Sequence, residues 1–205
     1  MSVILDLISS VVIGSLVILI GLRLNASIAG TGDASKAQLN VQENAVDIVR
    51  TLEYDFRRIA YNSSNPTQCI LYFDTSDIQF QGDIDNSGGG VMDVGLDQVE
   101  WKLGPAVVGL QNPNIHNLLR RVAYDGGPWG DWQSVGIGVS VFHLAGFDRS
   151  GVPTSDRLLI RIIETTLQVE NPYLTQDQVN QDSLSYSKIF WRQTWQTSQN
   201  LSRHD

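Results

Sequence analysis

The chain has 205 residues, a net charge of −8 and only 14 Lys and Arg. Its sequence pI of about 4.7 argues against nucleic acid as a partner, because phosphate binding needs a clustered basic surface, and against charge-driven docking on anionic lipid. A single cysteine, Cys69, excludes an internal disulfide or a Cys-rich zinc site, and in "CILYF" it reads as a small buried apolar residue.

The first element is "MSVILDLISSVVIGSLVILIGLRLN", almost uncharged apart from Asp6 and Arg23. As a helix, Met1 to Leu22 would span about 33 Å, the thickness of a bilayer's hydrocarbon core. A signal peptide is the competing reading, with "NASIAG" as its cleavage region. A retained span over residues 1–24 fits better, because no Lys or Arg precedes the apolar run and the run is long. Arg23 and Lys36 are the only nearby bases, so charge says little about orientation. The tripeptides at Asn25, Asn62 and Asn200 match the N-glycosylation pattern, which arises often by chance.

Residues 25–33, "NASIAGTGD", carry two glycines and small polar residues, which predicts a flexible break with Asp33 capping a new helix. An amphipathic helix is predicted over 34–61. Leu39, Val46, Val49, Leu52, Phe56 and Ile59 fall at spacings of three, four or seven and share one face. Pro66 and the cluster "YNSSNPTQ" end it.

From 66 to 205 the texture is that of a β-rich head. The runs "CILYFD", "DIQFQGD", "QVEWKL", "NLLRRVAY", "GVSVFHL" and "RLLIRIIETTLQVE" are β-prone and separated by turn material. "NPYLTQDQVNQDSLSYSK" reads as a polar loop, and "IFWRQTWQTSQNL" after it as a last strand and a tail. The end of "RLLIRIIETTLQVE" alternates as a one-sided antiparallel strand does. The order apolar helix, amphipathic helix, sheet predicts an α+β fold in which a long N-terminal helix packs on an antiparallel β-sheet domain.

That order resembles the type IV pilins and the pseudopilins of type II secretion, in the larger minor-pilin branch. The resemblance rests on the apolar run Leu7 to Leu22, the helix ending "LEYDFRRIAYN", and the phrases "IQFQGDIDNSGGG…DQVEWKL", "NLLRRV" and "VGIGVSVFHLAGFDRSG". It covers most of the chain through texture and order. It implies an amphipathic half-helix on a small antiparallel sheet. It also implies a subunit held in the inner membrane, handled there by assembly machinery, then polymerised with copies of itself and other pilin-like subunits. The product would be a cell-surface filament or a periplasmic pseudopilus, with no enzymatic activity and no cofactor.

In such a subunit the early acid pairs with the N-terminal amine of a neighbour. Here that acid is Asp6 in place of the usual Glu. It lies one position late counted from Met1 and at the usual offset counted from Ser2. An unpaired carboxylate in an apolar setting is costly, so a neighbour's amine is a ready partner. The alternative is a helix-start acid favoured by the helix dipole. Gly14 and Gly21, with Ser10 and Ser15, could let helices approach or loosen, and Arg23 would stand just past the apolar core. The rival function is a lone membrane-anchored binding domain or enzyme.

"DIDNSGGG" places Asp83, Asp85 and Ser87 like the start of a calcium loop, but position twelve is Val94. Asp93 or Asp97 could close a different oxygen cage, against the simpler reading of a solvated turn. His116, His143 and His204 lack ligand spacing to any other His or Cys. No phosphate-cradling or nucleophile-elbow motif is present. Trp129 and Trp132 in "GGPWGDW" are candidates for a surface or subunit contact, or for a lid on the core.

Overall fold

The structure, a computed structural model, describes residues 2–85, 95–173 and 188–197; for residues 2–9, 29–31, 33 and 34 it describes the backbone alone. Among the described residues one α-helix, α1 (Ser2–Phe56), precedes seven strands: β1 (Ile70–Phe73), β2 (Asp77–Gly82), β3 (Asp97–Ala106), β4 (His116–Ala123), β5 (Gln133–Phe147), β6 (Ile162–Glu170) and β7 (Lys188–Gln196). The strands form one sheet in the order β1-β2-β3-β4-β5-β6-β7, antiparallel at every step.

The expected architecture, a long helix packed on a small antiparallel sheet in the manner of a pilin, is therefore corrected. The fold is mostly β, a seven-stranded antiparallel half-barrel. The sheet is a meander in which each strand pairs with the one that precedes it in the chain, the commonest arrangement of consecutive strands. Register shifts in the β4–β5 and β5–β6 pairings supply the local bends and added twist by which such a sheet curls.

Each β-prone run of the sequence lies on a strand, but β6 begins only at Ile162, and Arg157–Leu159 form a turn ahead of it. Along β6 the parity of Ile163, Thr165, Leu167 and Val169 is buried, as the alternation predicts.

The expected break over 25–33 is not a break in the helix, since α1 runs uninterrupted through it. Gly30 and Gly32 each cost only about 1 kcal/mol relative to Ala, whereas restarting a helix carries a fresh nucleation cost. The helix ends at Phe56 rather than Tyr61, and a turn with Ala60 and Asn62 at positive φ follows. Gly82 makes room for that turn, because a Cβ there would meet the Arg58 carbonyl oxygen at 2.0 Å.

The expected buried face holds at Leu52, Phe56 and Ile59, with Val49 packed against the core, but Leu39 and Val46 are exposed and Val41, Ala45 and Ile48 are buried in their place. From Val41 to Phe56 the buried positions step by four, three, four and four residues, a single stripe. The stripe packs on β5, β6 and β7. At Gly136 of β5 a Cβ would meet Ile48 Cδ1 at 2.4 Å, so the close helix–sheet approach requires glycine. Phe56 also packs edge-on to Phe80, with ring centroids 5.7 Å apart, and against Trp195 at 5.8 Å.

Asp55 brings a charge into the contact between helix and sheet. Asp55 is fully buried. It accepts from Arg120 Nε at 2.6 Å and Arg120 Nη2 at 2.9 Å, and from Trp101 Nε1 at 2.7 Å. Burial pulls the Arg120 guanidinium down, but the hydrogen bond and charge of Asp55 leave it above its ordinary value. Removing one partner of such a pair leaves a buried charge uncompensated, at a cost of about 3–5 kcal/mol. Asp55→Ala or Arg120→Ala should each lower unfolding free energy in urea by about that much. The double variant Asp55→Leu/Arg120→Met should lose less than either single change.

Candidate functional site

Two regions carry chemistry that the core does not consume: the N-terminal part of α1 and the acidic end of the β2–β3 hairpin. Within α1, Ser10–Ile28 is long and apolar enough to cross a membrane, and none of it is buried. Val11, Ile13, Val17, Ile18, Leu22 and Ile28 are all more than 60% exposed, which is a poor state in water for so much apolar surface.

Asp6 lies on this helix, but its side chain is outside the described set. Gly14 and Gly21 have nothing within 4 Å of a Cβ position, and Arg23 is exposed. All described side chains of the apolar segment thus face outward. Ser15 Oγ donates back to the Val12 carbonyl at 2.8 Å, satisfying its hydroxyl within the helix, as apolar surroundings require.

At the hairpin, β2 ends at Gly82 and β3 starts at Asp97. Their pairing, Gly82 opposite Asp97, brings Asp83 and Asp85 back beside Asp97. One carboxylate oxygen from each of Asp83, Asp85 and Asp97 lies within 4.8 Å of the others. Asp97 is fully buried. Its Oδ2 accepts from the backbone N–H of Ile84 at 2.8 Å and of Asp85 at 3.3 Å, and its Oδ1 from that of Asp125 at 3.0 Å. Asp97 therefore ties the hairpin end to the turn after β4. Asp83 is 2% exposed and accepts from Asn62 Nδ2 at 2.7 Å through Oδ2. Its Oδ1 is buried with no hydrogen-bond partner.

Sequence spacing had singled out Asp83 and Asp85, and Asp97 as a possible closing residue; the hairpin register makes it the central one. Ser87 and Asp93 lie outside the described residues. Asp125, at positive φ beside Gly95, was not visible as a neighbour, since only the sheet order brings it there.

Trp129 and Trp132 fold back on the sheet face opposite the helix. Trp132 lies between Lys102 Nζ, 3.9 Å from its ring centroid, and the Arg121 guanidinium, at 4.4 Å. Trp129 stacks on the same Arg121 at 4.5 Å. Arg121 in turn pairs with Glu100, Nε to Oε2 2.6 Å. The indoles are half-buried against cations, worth about 0.5–1 kcal/mol per contact at such sites. His116 bonds the Gly104 carbonyl at 2.8 Å, a structural role, and His143 is exposed on β5.

No protein-family model matches the chain, and no curated protein matches it.

Two outcomes follow from these carboxylates. Asp97→Ala strands three N–H groups and should cost about 2–4 kcal/mol in chemical denaturation. Asp77, on β2, is a different case: burial first, then the Glu100 charge, raises its pKa, and its Oδ1 is buried without a partner. Protonation is thus favoured by folding, so ionised Asp77 costs stability above its folded pKa and nothing below the unfolded one. Asp77→Asn should raise the melting temperature at pH 7, with the gain vanishing once pH falls below the ordinary Asp value of 3.8.

Proposed function

We propose that this chain is a structural subunit of a type IV pilus-like filament, held in a membrane by its first helix and polymerised through it. The observation that supports the reading is the continuity of α1 from the apolar segment into the core of the head. A lone anchor needs only about 20 apolar residues and gains nothing from a rigid connection to its cargo. Here residues 2–40 extend about 58 Å before the buried stripe begins. The helix and the head are fixed to each other by the Asp55–Arg120 pair. A polymer whose helices pack side by side needs that fixed angle, because every head must repeat the orientation of the last.

In this scheme the exposed apolar surface is buried first by lipid and then by neighbouring helices, with Gly14 and Gly21 permitting close approach. Asp6 pairs with the N-terminal amine of an adjacent copy, and Arg23 stays outside the apolar layer. No residue performs catalysis. The chain sits in the inner membrane before assembly and in a surface filament or periplasmic pseudopilus after it.

The test is electron microscopy of material sheared from cells producing the chain, beside membrane fractionation. Regular helical polymers containing it are expected, and Asp6→Ala should cut their yield about tenfold or more while the chain stays membrane-bound, as loss of a buried ion pair would. Dispersed, unpolymerised chains in the parent cells would sink the filament reading in favour of a lone anchored domain. Normal yield from Asp6→Ala would sink the pairing alone.

A further inference from the structure

We infer that the end of the β2–β3 hairpin is a calcium site built on Asp83, Asp85 and Asp97. The inference does not depend on the filament reading.

The geometry suits a cation held directly by protein oxygens. Two ligands of one Ca²⁺, each at 2.3–2.6 Å, can stand up to about 5 Å apart. The three carboxylate oxygens lie within 4.8 Å of one another. Three converging carboxylates are also more than Mg²⁺ uses, since it keeps several waters and takes one or two.

The second observation is independent of the cluster's composition. Asp83 is almost fully buried, and its Oδ1 has no hydrogen-bond partner. A buried carboxylate oxygen without donor or counter-charge is strongly disfavoured. Among the described residues no Lys or Arg forms an ion pair with Asp83 or Asp97. A divalent ion supplies the missing charge where these side chains supply none.

The roles then divide by burial. Asp97 is fixed by three backbone N–H groups and sets the floor of the site. Asp83 contributes a carboxylate already removed from bulk water. Asp85, exposed, closes the site from the solvent side and lets the ion enter. Its backbone N–H is itself held by Asp97, so its position is set before the ion arrives. Bound calcium would lock the hairpin end against the turn after β4, where Asp125 N–H meets Asp97.

The experiment uses the full chain in detergent micelles, titrated separately with CaCl₂ and MgCl₂ up to about 5 mM, the range of extracellular calcium modules. Melting is followed by tryptophan fluorescence. Calcium should raise the melting temperature by about 5 °C or more at saturation, and magnesium should raise it far less. Asp85→Asn, at an exposed position that does not threaten folding, should weaken the apparent calcium affinity about tenfold or more. Asp83→Asn should abolish the response and, by removing a buried unpaired charge, melt no lower than the parent without calcium. Absence of a calcium response, equal responses to the two ions, or an unchanged response in Asp85→Asn would each overturn the inference.

Discussion

Asp55 is the constraint on which the rest of the molecule depends. It sits one residue before the end of α1, and its carboxylate is completely enclosed by the sheet. A charge cannot be placed there cheaply unless every lone pair has a donor. Arg120 of β4 and Trp101 of β3 supply those donors, and neighbouring strands must pair in one register for both to arrive together. Trp101 and Arg120 are directly opposed across that ladder. A slip of one residue between them would turn one of the two away from the helix, so the pair fixes register, helix position and helix rotation at once.

From this follows the coupling between the two ends of the protein. The apolar stripe from Val41 to Phe56 provides the adhesion, at about 25 cal/mol per Å² of apolar surface removed from water. Adhesion alone would tolerate sliding along the helix axis. The ion pair and the close contact of Ile48 on Gly136 remove that freedom, which makes the 2–40 segment of the helix a stiff extension of the head. A filament subunit needs such stiffness, and this is the physical content of the proposed function.

The acidic hairpin end stands apart from that clamp, yet it follows the same rule. Where this sheet fully buries a carboxylate it supplies donors: a guanidinium and an indole for Asp55, three backbone N–H groups for Asp97. Asp83 Oδ1 departs from the rule, as does Asp77 Oδ1, but Asp83 does so beside two converging carboxylates. The hairpin's chemistry is therefore read from an unmet electrostatic demand rather than from a motif.

Much of this was legible in the residues themselves. The apolar segment, the amphipathic segment and the β-prone runs are local patterns, and local patterns determine which residues can be helix or strand. The gap at 25–33 and the helix face at Leu39 and Val46 were not legible. Helix continuity depends on cooperativity over 55 residues, and the buried stripe depends on where the sheet sits. The size and order of the sheet came from long-range pairing, which no window of the sequence contains. Asp83 and Asp85 were visible as a pair of acids two residues apart, but their meeting with Asp97 was decided by β2–β3 register, and that with Asp125 by the place of β4. Composition and periodicity thus determined the elements and the exposed apolar helix. Tertiary structure decided which charges meet, because the cost of a buried charge is set by its neighbours in space and not by its neighbours in the chain.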